Sequence, residues 1–348
     1  NLTAGQMFLN QVDTVALYLT TENVVYLPHI TKEKDLLVDI VFIQRSLADK
    51  PALKDFALRH IKTFRKETIL CSRDYGKMVI FKGSVADRKL VRGILQKHSI
   101  DVIFHLAAEA IVGCSQEDPL KAFESNIAGT WEVLEAARLR GDLQAIVVAS
   151  SDKAYGSHKK LPYREETSLA ANHPYDVSKS CADLIANTYF HTYGLPVAIT
   201  RCGNIYGPGD FNFSRIIPDA MRSIIFDKTL KIRSDGTFVR DYVYVDDIID
   251  GYIRIAELMK KKRLSGEAFN LSDGKPVTVI ELLSGINKLN LCGNELKYKI
   301  MNTAKYEIRE QYLSAAKARR LLKWRPGYSL EEGLMKTAKW YAGYFNKL

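Results

Sequence analysis

From residue 76 onward, hydrophobic and polar positions alternate in two different periods. Short, nearly unbroken apolar runs read as strands: Lys77–Gly83 (KMVIFKG), Asp101–Ala108 (DVIFHLAA), Ala145–Ser151 (AIVVASS) and Pro196–Gly207 (PVAITRCGNIYG). Between them, apolar residues fall at helical spacing over Leu90–His98, Asn126–Gly141 and Tyr175–Gly194, and the last two stretches close on a glycine stop signal. A strand that is apolar on both faces has to be covered on both, and strands alternating with helices are joined by crossovers. The pattern predicts an α/β fold built on a doubly wound parallel sheet.

After Gly207 the texture changes to loops, short strands and helices (TLKIRSDG, RDYVYVDDIIDGYIRIAEL, EAFNLSDGKPVTVIELL) and a basic, aromatic tail. This suits a smaller region built on the C-terminal edge of the sheet, where ligands of such folds bind. The division expected is 1–75 as an atypical N-terminal part of a dinucleotide-binding domain, 76–207 as the core, and 208–348 as a substrate region partly interleaved with it. In the first part, TVALYL and DIVFIQR read as strands and PALKDFALRHIKTF as a helix. Of the 21 glycines only Gly5 precedes Gly76. A dinucleotide cradle needs glycines so that backbone can approach the pyrophosphate, and LTTENVV, in the place of such a turn, has none.

Composition narrows the class. With 47% hydrophobic and 26% charged residues the chain reads as an ordinary globular protein. No apolar run approaches the roughly 18 residues of a membrane span, and no export signal is read at the start. Cys71, Cys114, Cys181, Cys202 and Cys292 are widely spaced without a CxxC, which fits reduced thiols in a cytoplasm rather than a disulfide framework or zinc ribbon. The net charge of +10 comes from scattered residues, and Lys260–Arg263 reads as the solvated end of a helix. That pattern argues against nucleic acid as partner and suits a substrate carrying phosphates.

The candidate chemistry sits in SSDKAYG, Ser150–Gly156, and in YDVSK, Tyr175–Lys179. Tyr175 and Lys179 are four apart and share a helix face. A tyrosine titrates near 10, too high for a base at neutral pH, and a nearby ammonium would lower that value. Ser151, at the end of a neighbouring strand, would hydrogen-bond the same substrate hydroxyl. The set describes a base that takes an alcohol proton while hydride leaves the carbon.

With HLAA, ESNIAGTWEVLEAAR, SSDKAYG, HPYDVSKSCAD, TRCGNIYGPGD, FVRDYVYVDD, GEAFNLSDG and the tail YLSAAKARRLLKWRPGYSLEEGLMKT in this order, the chain resembles the extended short-chain dehydrogenase/reductase family, the NAD-dependent nucleotide-sugar epimerases and dehydratases. The resemblance implies a Rossmann-like sheet holding NAD and a nucleotide sugar bound beside it. It implies Ser151, Tyr175 and Lys179 as the catalytic triad, with His105, Ala107, Ala108, Asn126, Tyr175 and Lys179 near the cofactor. Glu109, Asn204, Ser214, Arg215, Ile216 and Arg240 fall at substrate positions, Arg240 gripping the diphosphate; its alternative is an ion pair with Asp241. His105 is read as a residue near the cofactor, and no metal site is expected. A homodimer through the outward faces of Asn126–Arg140 and Tyr175–Tyr193 is also implied.

Asp152–Lys153 resembles the version of the motif in CDP-glucose 4,6-dehydratases and inverting UDP-N-acetylglucosamine dehydratases, and CDP-glucose is the substrate expected. After oxidation at C4, a base takes the C5 proton while an acid protonates the departing C6 hydroxyl. Asp152 suits the acid and Lys153 the base, if burial moves the first pKa up and the second down. A 4-epimerase is the alternative. The missing glycines, and Ser84 where the family usually has an acid after Gly83, leave three readings: a divergent or replaced N-terminal segment, an unfamiliar cofactor loop, or a non-catalytic sugar-nucleotide binder.

Overall fold

The computed structural model describes residue 81 and residues 83–345 except 99, 211, 305 and 306, together with two N-terminal strands, β1 (Thr14–Leu17) and β2 (Leu37–Val38). Strand β1 falls within the predicted TVALYL. The expected strand DIVFIQR and helix PALKDFALRHIKTF lie outside the described residues, as does Lys77–Gly83 apart from Phe81 and Gly83.

The expected parallel sheet is present. It contains β1, β2, β3 (Val102–His105), β4 (Ala145–Ala149), β5 (Val197–Cys202) and the later strand Ala268–Leu271. The spatial order is Ala268–Leu271, β5, β4, β3, β1, β2, with every pairing parallel. Alternation sends consecutive side chains to opposite faces. Val102, Phe104, Ala145, Val147 and Ala198 meet Ile248, Ile255 and Met259 on one face. Ile103, Ile146, Val148, Val197 and Ile199 meet Val91, Leu95, Val133, Leu134 and Ala186 on the other. The helices covering these faces are α1 (Arg88–Lys97), α2 (Gly129–Arg140), α3 (Pro174–Tyr193) and α4 (Val245–Lys262). Asp87 caps α1 by accepting from the amides of Lys89 and Leu90, both at 3.1 Å, so the helix begins two residues before its apolar pattern does. The basic run Lys260–Lys262 is the exposed last turn of α4, as expected.

The predicted strands prove shorter at their C-terminal ends, because there the chain leaves the sheet to build loops. Residues 106–108 follow β3 and residues 150–151 follow β4 without extending them. The stretch after Pro196 divides at Gly203: Asn204–Tyr206 leaves the main sheet and pairs in parallel with Tyr242–Tyr244. A Cβ on Gly203 would stand 2.7 Å from the Asp241 carboxylate, so the crossover needs a residue without a side chain. The C-terminal part has its own core, including Ile217, Met221, Leu230, Ile232, Leu282 and Tyr341. The chain also returns to the main sheet through Ala268–Leu271 and α4. Among the described residues no helix is long and apolar enough to cross a membrane, no cysteine forms a disulfide, and no three acidic, histidine or cysteine side chains gather as metal ligands.

Candidate active site

The ends of β4 and β5, the start of α3 and the C-terminal part enclose a cavity of about 790 Å³. Ser151, Asp152, Lys153 and Tyr175 line it on the sheet side, and Asn204, Ser214, Arg215, Ile216 and Arg240 line it opposite. Residues some 100 positions apart in sequence thus meet in one space because parallel strands all end at the same edge.

SSDKAYG becomes a short 3₁₀ turn, Asp152–Tyr155, capped by Ser151, whose Oγ accepts the Lys153 amide at 3.2 Å. Gly156 ends the turn at φ 69°, where an added Cβ would meet the Ala170 carbonyl oxygen at 2.1 Å. Tyr155 points away from the cavity into the core, donating to Asn270 Oδ1 at 2.7 Å. From α3, the Ser180 hydroxyl donates to the Ala154 carbonyl at 3.0 Å, tying helix to turn.

Asp152 is 5% exposed. Its Oδ1 accepts from Ser151 Oγ at 3.0 Å, and its Oδ2 has no hydrogen-bond partner among the described residues. Burial pushes this carboxyl up, against the charges of Lys153 and Arg240 that favour ionisation. Burial pushes the Lys153 amine down, aided by Arg240 and opposed by Asp152, Asp176 and Glu307. Both shifts run in the direction an acid and a base on these two residues need.

Lys179, expected to act on Tyr175, is anchored at the end of β4. Lys179 donates its Nζ to the Ala149 carbonyl at 2.8 Å, and burial lowers it to about 8. Tyr175 is pushed up to about 12 by burial; the groups pulling it back are Ser151, through a hydrogen bond, and the charge of Arg215. Spacing on one helix face brought the two residues near each other, but the strand-end carbonyl takes the ammonium.

The remaining candidates sort by place. His105 is buried, with Nε2 3.0 Å from Thr130 Oγ1, and burial lowers it to about 3, so it is neutral. Thr130 donates to the Asn126 carbonyl at 2.6 Å. Asn126 accepts from the Glu109 amide at 2.6 Å and donates to the Glu109 carbonyl at 3.0 Å and Ser178 Oγ at 2.8 Å. Its amide is therefore spent on fixing the loop after β3. Ala107 and Ala108 are buried just past the end of β3. Glu109 is not among the residues lining the cavity; it is 2% exposed and its carboxylate accepts from the Ile111 amide at 3.2 Å. Asn204 donates to the Asp241 carbonyl at 3.1 Å, Ser214 donates to Asn212, and Arg215 pairs with Asp210 at 3.2 Å. Arg240 does not pair with Asp241. It donates to the carbonyls of Val239 at 2.7 Å and Arg309 at 3.0 Å, and to that of Ile308.

Sequence reasoning missed four cavity or near-cavity residues. Lys231 and Arg233 alternate with buried Leu230 and Ile232 in LKIRS, a period-two signal that puts both cations on the other face. Asp176 lines the cavity beside Tyr175 and is 5% exposed. Gln311 donates to the Asp152 carbonyl at 2.9 Å from a strand 159 positions away, which no local pattern announces.

A family model described as GDP-mannose 4,6 dehydratase matches residues 51–337. The chain is 33% identical over 261 residues to a UDP-glucuronate 4-epimerase of Thermodesulfobacterium geofontis, covering 74% of this chain and 77% of that protein. It is 30% identical over 280 residues to a dTDP-glucose 4,6-dehydratase of Xanthomonas campestris pv. campestris, covering 76% and 78%. Among solved structures it is similar to DesIV, a dTDP-glucose 4,6-dehydratase from Streptomyces venezuelae with NAD and TYD bound. That likeness has TM-score 0.76 and 26% identity, covering 96% of this chain and 98% of the other.

Proposed function

The chain belongs to the nucleotide-sugar epimerase and dehydratase family of the extended short-chain dehydrogenases/reductases, and from that premise we propose that it is a nucleotide-sugar 4,6-dehydratase. The observation that carries this reading over 4-epimerisation is Asp152 beside Lys153. One is a buried carboxyl with an unpartnered oxygen and a raised pKa, the other an amine with a lowered one, both on the cavity wall. An epimerase has no elimination for such a pair to perform.

The described residues fit the nicotinamide end of a dinucleotide. Lys179 is buried, and among the described residues its ammonium reaches only the Ala149 carbonyl, leaving two N–H donors for a ribose diol. Tyr175, on the same helix, faces the cavity. The turn after β1, where the pyrophosphate would lie, is outside the described residues. When bound, NAD supplies the acceptor that takes a hydride from C4 of the sugar and returns it at C6.

The protein's own groups do the rest. Arg240, Lys231 and Arg233 present cations to the diphosphate of a nucleotide sugar, and Arg240 is held in place by three backbone carbonyls. Ser151 hydrogen-bonds the C4 hydroxyl and Tyr175 takes its proton, the charge of Arg215 favouring the phenolate. With C4 a ketone, the C5 hydrogen becomes acidic. Lys153 takes it and Asp152 protonates the C6 hydroxyl, which leaves as water; Lys153 then returns its proton to C5. Resemblance of the Asp-Lys motif makes CDP-glucose the first substrate to test, with dTDP-glucose and UDP-glucuronate beside it. A 4-keto-6-deoxy product is expected from one of the first two; an epimerised sugar with its C6 oxygen retained refutes the reading. Asp152→Asn is expected to form the C4 ketone and stop, with reduced nicotinamide absorbance trapped and elimination down by about 10²–10⁴-fold. Full turnover by that variant would remove Asp152 from the acid role.

A further inference from the structure

Asp176 is a carboxylate on the cavity wall with no task in the steps above. It lies in the first turn of α3, directly after Tyr175, and is 5% exposed. Its carboxylate makes no hydrogen bond among the described residues and looks into the cavity. The Ser180 hydroxyl donates both to the Asp176 carbonyl at 3.1 Å and to the Ala154 carbonyl at 3.0 Å. One hydroxyl therefore holds the backbone of Asp176 against that of the residue following Lys153, and both side chains open into the same cavity. An ordinary helix-start acid bonds the free amides of the first turn; this one turns to the cavity instead.

Resting on the dehydratase reading, we propose that Asp176 is the positioning residue for Lys153: its fixed negative charge holds the ammonium that forms when Lys153 takes the C5 proton. In that step the C5–H bond breaks, its electron pair moves into the forming C5–C6 double bond, and an N–H bond forms at Nζ. The C6–O bond breaks with the proton of Asp152, and water leaves. Positive charge appears on Lys153 only during this step, so a charge preplaced beside it stabilises the transition state more than the ground state. The other charged groups acting on Lys153 are Asp152 on its own turn, Arg240 on its strand and Glu307 from the C-terminal segment. Asp152 becomes negative in the same step, but it faces the departing water. Arg240 opposes the ammonium, which leaves Asp176 to offset it from the helix side. Burial raises its carboxyl to about 6, against the charges of Lys153 and of His173 at the start of α3, and it is ionised at neutral pH.

The test compares wild type, Asp176→Asn and Asp176→Glu, each loaded with NAD. It measures C4 oxidation as bound reduced nicotinamide, and C5 proton abstraction as exchange of the C5 hydrogen with deuterated water, from pH 5.5 to 9. For Asp176→Asn we expect oxidation within about 2-fold of wild type and C5 exchange, compared on the plateau above the acid limb, slower by up to about 10-fold, one pK step's worth of charge stabilisation. The acid limb of the exchange profile should also move to lower pH by about one unit, because Lys153 without its counter-charge is neutral at lower pH. Asp176→Glu should recover part of the rate. Equal slowing of both steps with an unmoved limb would make Asp176 a structural residue and overturn the proposal. If Asp176→Asn fails to fold, the glutamate variant decides: it keeps the charge, so an acid limb near that of wild type with C5 exchange slowed more than oxidation is expected, and equal loss in both steps refutes the proposal. Absence of any 4-keto-6-deoxy product from wild type would instead defeat the dehydratase reading, a separate outcome.

Discussion

The strongest single perturbation available behind the cavity is at a buried ion pair. Arg201 on β5 donates through Nε and Nη2 to Asp183 on α3 at 2.7 and 2.9 Å, with the two side chains only 7% and 4% exposed. Its Nη1 also reaches the Tyr155 hydroxyl at 2.9 Å and the Glu165 carbonyl at 3.1 Å. Asp183→Ala leaves a guanidinium buried without a counter-charge, a change that costs about 3–5 kcal/mol in comparable pairs. Because two neutral partners remain, the lower part of that range applies, about 3–4 kcal/mol. At about 2–4 °C per kcal/mol the melting temperature should fall by roughly 6–16 °C. The double replacement Arg201→Met with Asp183→Leu removes both charges and the cost of dehydrating them. It should recover most of the loss, since Tyr155 keeps Asn270 as a partner. Urea unfolding followed by circular dichroism, with calorimetry as a second measure, gives the three values. A loss below about 1 kcal/mol in the single variant, or a double variant no more stable than Asp183→Ala, would refute an uncompensated buried charge as the source of the cost.

Two further outcomes follow from the same packing. Asp241 is fully buried and its carboxyl is raised from 3.8 to about 7 by burial and by the charge of Asp152. The folded state thus holds a proton that the unfolded chain releases, and stability should fall as pH climbs from about 4 to about 7, by up to about 4 kcal/mol. Asp241→Asn, whose carbonyl can still accept from Ser272 and Leu313, should flatten that part of the stability–pH curve; an unchanged slope in urea titrations at pH 5 and 7 would contradict it. On the outward side of α2 and α3, Trp131, Leu139, Leu184 and Tyr193 are all at least 42% exposed. We expect a homodimer through this face, so Leu184→Glu should convert it to monomers in sedimentation with little loss of monomer stability; a wild-type monomer at micromolar concentration counts against it.

How much of the site was legible depends on how local its signals are. SSDKAYG and YDVSK were readable because a short motif at a strand end and an i,i+4 pair on a helix carry their geometry with them. The directions of the Asp152 and Lys153 shifts also followed from the requirement of burial. Only the structure shows the side chain of Glu109 drawn back to the Ile111 amide, a choice made by the loop's own donors. Asp176 carried no signal of its own in the sequence, since only the packing of α3 on the 152–155 turn reveals that it is buried.

The sequence by itself determined the alternation of strands and helices, the parallel sheet covered on two faces, and the family. Those depend on hydrophobic period and on contiguous motifs, which survive without knowledge of what lies opposite. Tertiary structure alone decided which charges meet. It placed Lys179 on the Ala149 carbonyl rather than on Tyr175, set Arg240 on three carbonyls rather than on Asp241, and brought Gln311 to the back of Asp152. The physical reason is range. Apolar burial is read residue by residue, whereas a pKa or a polar contact depends on a few ångströms between segments that lie tens of residues apart, and in one case 159.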